Sequence, residues 1–116
     1  MNDIKLLLEN GADVNSKDAN NFSLLMSCAS KNDLESIKAL LEYNVSVNSK
    51  DDRNFTALDY AIKSNSLEAI KLLVQSGVSI TSDSYMFALN TNHKDIIKFF
   101  DSLDPNKHIF LKHRKR

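Results

Sequence analysis

Apolar residues recur along this chain at helical spacing. Leu34, Ile37, Leu40 and Leu41 form one stripe, and Leu67, Ile70, Leu73 and Val74 form its copy, the pattern of a helix that turns one face to a core. A shorter helical segment precedes each stripe and opens at Ser23 or Thr56, whose hydroxyls can accept a hydrogen bond from the unpaired amides of a first turn. The pattern predicts units of turn, helix, helix, turn. A last helix pair is expected over Ser84 to Thr91 and Lys94 to Leu103, with Asp104-Pro105 ending the helical structure.

The stripes belong to a longer period. Ile4-Lys5, Ile37-Lys38 and Ile70-Lys71 recur at a spacing of about 33 residues, as do Asn21-Phe22 with Asn54-Phe55, Leu34-Glu35 with Leu67-Glu68, and Val45-Ser46 with Val78-Ser79. In the last unit Ala61 aligns with Ala88 and Leu72-Leu73 with Phe99-Phe100. That unit is therefore about six residues shorter, and the missing residues are those before its first helix.

These residues resemble the ankyrin repeat, whose pattern includes Gly-x-Thr-Pro-Leu-His-x-Ala and an ending like Leu-Leu-x-x-Gly-Ala-Asp-Val-Asn. The resemblance is closest at Ile4-Lys5-Leu6-Leu7-Leu8-Glu9-Asn10-Gly11-Ala12-Asp13-Val14-Asn15 and extends to about Leu103. It implies an all-α solenoid of stacked helix pairs over residues 1–104. The parts are a partial repeat 1–17, repeats 18–50 and 51–83, and a short terminal repeat 84–104 without a projecting finger, followed by a basic tail 105–116. Met1 falls just before a second helix, so Ile4, Leu7 and Leu8 are expected to face no neighbour and to offer an uncapped face for self-association.

Departures from the family pattern are systematic. Thr-Pro-Leu-His reads Ser23-Leu24-Leu25-Met26 and Thr56-Ala57-Leu58-Asp59, losing the proline favoured at a first helical position and the bridging histidine, with some capping stability expected to go with them. Asn44 stands where Gly11 and Gly77 end their helices, Asn32, Asn65 and Asn92 stand between paired helices, and Asn21 and Asn54 occupy fingertips. All six are expected in left-handed backbone, which asparagine visits more readily than any residue but glycine.

Composition narrows the function classes. Hydrophobic residues at 42% and charged ones at 26% fall in the range of a folded domain, and fifteen basic against fifteen acidic residues leave no net field to attract nucleic acid or membrane. No apolar stretch reaches the roughly 18 residues of a membrane span. Cys28 is the only cysteine, which excludes an internal disulfide, points to an intracellular setting (cytoplasm, nucleus or a host cell reached as a secreted effector), and aligns with the family's small core alanine. His93, His108 and His113 lack zinc spacing, His93 following Asn92 as in the family's Gly-His turn, and no nucleophile elbow or glycine-rich phosphate loop occurs. No enzyme, cofactor, metal or small-molecule substrate is expected.

The resemblance instead implies a protein partner held by fingertips and first helices. Carried onto this sequence, that surface comprises Lys17, Ala19, Asn20 and Phe22, then Lys50, Asp52, Arg53 and Phe55 on the fingers, with Ser30, Lys31, Lys63 and Ser64 on the helices. Phe22, Phe55 and Arg53 are the residue types that anchor interfaces; the alternative for the two phenylalanines is to stack on each other. Tyr60, Asp59 and Met26 stand nearby, Met26 as core filling. The leading reading is a non-catalytic adaptor, scaffold or inhibitor. Two alternatives are a fragment of a larger ankyrin protein and a nuclear or nucleic-acid contact through Lys107, Lys112, Arg114, Lys115 and Arg116 of the tail.

Overall fold

Each predicted helix pair begins where a hydroxyl can close a first turn. Ser23 Oγ accepts from the Met26 amide at 3.2 Å and Thr56 Oγ1 from the Asp59 amide at 3.3 Å, both residues being N-caps in extended backbone. The computed structural model describes residues 3–103. Its helices are α1 (Asp3–Glu9), α2 (Leu24–Ser30), α3 (Leu34–Glu42), α4 (Ala57–Lys63), α5 (Leu67–Gln75), α6 (Ser82–Thr91) and α7 (Lys94–Leu103). Helix α6 starts two residues before the expected Ser84 because Thr81 is its cap, Thr81 Oγ1 accepting from the Ser84 amide at 3.1 Å. The expected end at Asp104-Pro105 lies outside the described residues.

The helices form two rows. α2, α4 and α6 pack side by side in the inner row, α1, α3 and α5 pack in the outer row, and α7 pairs with α6. Ile37, Leu40, Leu58, Ile62, Ile70, Leu73, Ile96 and Phe100 are fully buried between the rows, so the stripes read from the sequence are the core faces. Met26 and Cys28 are buried with them.

Turns between these helices depend on left-handed residues. Asn21, Asn32, Asn44, Asn54, Asn65 and Asn92 all have φ between 56° and 68°, matching Gly11 and Gly77 at 92° and 99°. At helix ends this geometry returns an amide to a carbonyl that the helix leaves unpaired: Val45 donates to Leu40 at 3.2 Å and Val78 to Leu73 at 3.1 Å, while between paired helices Asp33 donates to Cys28 and Ser66 to Ala61, both at 2.9 Å. A second ladder joins successive repeats, with the Ser46 amide donating to Asn15 Oδ1 at 2.8 Å and Ser79 to Asn48 Oδ1 at 2.9 Å.

Two expectations need correction. The lost histidines leave neither cap open, because Met26 Sδ, a weak acceptor, and Asp59 Oδ2 accept from the Ser23 and Thr56 amides at 3.4 and 3.1 Å and complete reciprocal caps. Asp59 also bridges repeats, its Oδ1 accepting from Ser84 Oγ of α6 at 3.0 Å. On α1, Leu8 is buried against the core and Ile4 half-buried, so the exposed apolar residues there are Leu6 and Leu7 at 48% and 54%.

Candidate partner-binding surface

Two fingers project from the starts of α2 and α4, and each is a short turn organised by one aspartate. Asp18 Oδ1 accepts from the amides of Asn20 at 2.8 Å and Phe22 at 3.0 Å; Asp51 Oδ1 accepts from Arg53 at 2.9 Å and Phe55 at 3.0 Å. Such aspartate turns fix the backbone locally. The fingers are also tied to each other, since the Asp52 amide donates to the Asn20 carbonyl at 3.0 Å and Asn21 Nδ2 donates to Asp52 Oδ1 at 2.9 Å.

Between them lies an open cleft of about 360 Å³ lined by Asp18, Asn20, Phe22, Asp51, Asp52, Arg53 and Tyr60. Of the residues the sequence singled out for the surface, the cleft brings together Asn20, Phe22, Asp52 and Arg53. Lys17, Ala19 and Lys50 are exposed along the fingers but do not line it. Ser30, Lys31, Lys63 and Ser64 stand at the opposite ends of seven-residue helices α2 and α4, roughly 10 Å away at the rise of an α-helix. Ser64 is spent on packing: its hydroxyl donates to the Ala29 carbonyl of the preceding repeat at 3.1 Å and lies 2.7 Å from Ser66 Oγ.

Phe22 and Phe55 do not stack on each other. Both are half-buried and meet Tyr60 edge to face, at ring separations of 5.2 and 5.6 Å, and Phe55 also stacks on Phe87 at 5.9 Å. Edge-to-face contacts suit the positive rim and negative face of these rings. The anchors foreseen from the sequence are thus links in a continuous aromatic row, Phe22, Tyr60, Phe55, Phe87.

Tyr60 fixes that row to finger 2, donating its hydroxyl to Asp51 Oδ2 in a hydrogen bond. Burial pushes the Asp51 carboxyl up, but the bonds from Tyr60 and from the Phe55 and Arg53 amides, with the Arg53 charge, outweigh it and hold the group below its ordinary range. The Tyr60 hydroxyl is pushed up to about 12, first by burial and then by the bond to Asp51 and its charge. Burial, followed by the nearby Asp33 charge, raises the Cys28 thiol, which suits a core residue and not a nucleophile.

Asp18, Asp51 and Phe87 were missed, and the repeat itself carried their signal. Asp18 and Asp51 stand at the same offset of about 33 residues as Asn21 and Asn54, and Phe87 aligns with Tyr60 by the shortened offset that pairs Ala61 with Ala88. Among the described residues no cluster of three or more His, Cys, Asp or Glu could hold a metal, and no helix is long and apolar enough to cross a membrane. The basic tail lies outside the described residues.

Comparison with known proteins agrees with this architecture. The human ASB11 ankyrin repeat domain superposes with a TM-score of 0.79 at 23% identity over 86% of the chain, which spans about half (48%) of that domain. None of the curated proteins matches the chain. The sequence profile described as ankyrin repeats (3 copies) matches residues 1–84, and with that match over the same units that stack in the fold, the chain belongs to the ankyrin repeat family.

Proposed function

We propose that this chain is a non-catalytic protein-binding module that takes its partner on the fingers and the inner helices. The observation that carries the proposal is the cross-tied pair of fingers: Asn20 and Asn21 both bond Asp52 of the next finger, so that Arg53, Phe22 and Tyr60 are held ready around an open cleft. A surface already held in place loses little conformational entropy on binding. Ankyrin repeats generally serve as protein-interaction modules, and the fold is typically a non-enzymatic scaffold. An intracellular setting belongs to the same proposal.

The test uses exposed residues, because Phe22 and Phe55 also hold the fold together. Affinity capture with the intact chain is compared with capture by a Lys31→Glu, Arg53→Ala, Lys63→Glu variant, whose circular dichroism and melting should match those of the parent since all three positions are exposed. A partner retained by the parent and lost at least tenfold by the variant is the expected result. Equal capture by both would remove the inner-helix surface from the proposal.

A further inference from the structure

The contact that finger 1 makes with finger 2 has no counterpart one repeat later. On finger 1, the Asn20 carbonyl and the Asn21 side-chain amide hold the amide and carboxylate of Asp52. The equivalent groups of finger 2 are the Arg53 carbonyl and the Asn54 side-chain amide, and neither has a hydrogen-bond partner among the described residues. The terminal repeat lacks the residues that would form a third finger.

The aromatic row stops at the same place. Tyr60 receives Phe22 from the finger before it and Phe55 from its own. Phe87, its counterpart on α6, receives Phe55 but has no finger of its own to supply a second ring. What remains is an open slot of about 360 Å³ whose walls include Asn54, Phe55, Asp83, Met86, Phe87 and Asn90.

We propose that this vacated third-finger slot binds a finger-shaped turn of a partner protein, bearing an aspartate followed three residues later by an aromatic residue. The partner's backbone amide donates to the Arg53 carbonyl, its carboxylate accepts from Asn54 Nδ2, and its aromatic ring packs on Phe87, continuing across one more repeat the interface that already joins finger 1 to finger 2. This mode adds a segment to an open edge through main-chain bonds and obtains specificity from the flanking side chains. A second copy of this chain is a poorer occupant. Its finger 1 carries Ala19 where the carboxylate is needed, and the edge of its finger 2 that bears Asp52 is already engaged by finger 1. The inference rests on the protein-binding reading and shares finger 2 with it, but its test uses a defined peptide at residues 53–55 and 83–90, so the two can fail separately.

The probe is a disulfide-cyclised peptide copying residues 50–56, Lys-Asp-Asp-Arg-Asn-Phe-Thr, titrated into the isotope-labelled full chain and followed by amide chemical shifts. The expected result is saturable shifts confined to residues 53–55 and 83–90, with a Kd on the order of 1 mM for so small a contact. Binding should weaken at least threefold for peptides with alanine in place of the residue copied from Asp52 or from Phe55. Absence of shifts at about 5 mM peptide, a concentration leaving little room for a millimolar site, or equal shifts with the alanine peptides would overturn the proposal. So would shifts at the slot from a peptide of residues 105–116 with none from the finger peptide, which would assign the slot to a basic segment. Shifts that appear on concentrating the chain without peptide would overturn it in favour of self-association.

Discussion

Finger 1 and finger 2 share a frame and differ in how firmly it is held. Both begin with an aspartate that gathers two amides, turn on a left-handed asparagine and end in a phenylalanine followed by a hydroxyl cap. Position 60 of the second repeat is tyrosine, whereas the corresponding position 27 of the first is serine. Asp18 is therefore exposed, with its turn amides as partners, while Asp51 is buried and clasped from the helix by Tyr60. Met26 closes only its own cap, but Asp59 closes its cap and reaches Ser84 of the following repeat. The same local turn becomes a structural joint only when a neighbouring helix supplies a side chain long enough to meet it.

The largest effect should come from removing that side chain. Tyr60→Ala deletes the ring on which both phenylalanines rest and the partner of Asp51; a destabilisation of about 3 kcal/mol is expected in denaturant unfolding, at the lower end for loss of a large aromatic. Ser27→Ala, at the matching place, should cost no more than about 0.5 kcal/mol. Similar losses at the two sites would mean that the clasp adds nothing to finger 2.

Tyr60→Phe isolates the hydrogen bond. A loss of about 1.5–2 kcal/mol near neutral pH is expected for a hydrogen bond to a charged group. The pH dependence has a definite sign. The folded Asp51 pKa lies below its unfolded value, so its stabilisation is present above the unfolded value and is lost as pH falls through the folded one. The folded Tyr60 pKa is raised from 10.0 to about 12, so its stabilisation is full below 10 and disappears as pH rises toward 12. Unfolding curves of Tyr60→Phe should lose the alkaline dependence and flatten on the acid side. An unchanged alkaline limb would show that another group titrates there.

A smaller difference separates the fingertip asparagines. Asn21→Gly and Asn54→Gly both keep a residue at ease with positive φ, but only Asn21 gives its amide to the next finger. Asn21→Gly should therefore be about 0.5–1 kcal/mol less stable than Asn54→Gly, the size of one net hydrogen bond. Equal stabilities would locate the contribution of both residues in the backbone alone.

The helices, the core stripes and the left-handed turns were legible in the sequence because each depends on residues close along the chain and is repeated. Periodic Leu and Ile fix a helix face, and asparagine at a helix end has a conformational preference of its own. The start of α6 lies two residues before the expected one because Thr81 caps it, and packing against α4 through Asp59 gives Ser84 a partner outside its own helix. The surface was less legible. Phe22 and Phe55 read equally as free anchors or as a mutual stack, and the deciding residue, Tyr60, lies on the helix after finger 2 and contacts both.

The sequence by itself determined the helix pairs, their order, the missing third finger and the places where the backbone turns left-handed, since these follow from spacing and local conformational preference. Only the tertiary structure decided that Asp51 is buried and Asp18 exposed, that four rings form one row from Phe22 to Phe87, and that Ser64 is committed to the packing between repeats. Those outcomes depend on distances between neighbouring repeats, and a linear pattern fixes which units stack without fixing which side chains meet across the joint.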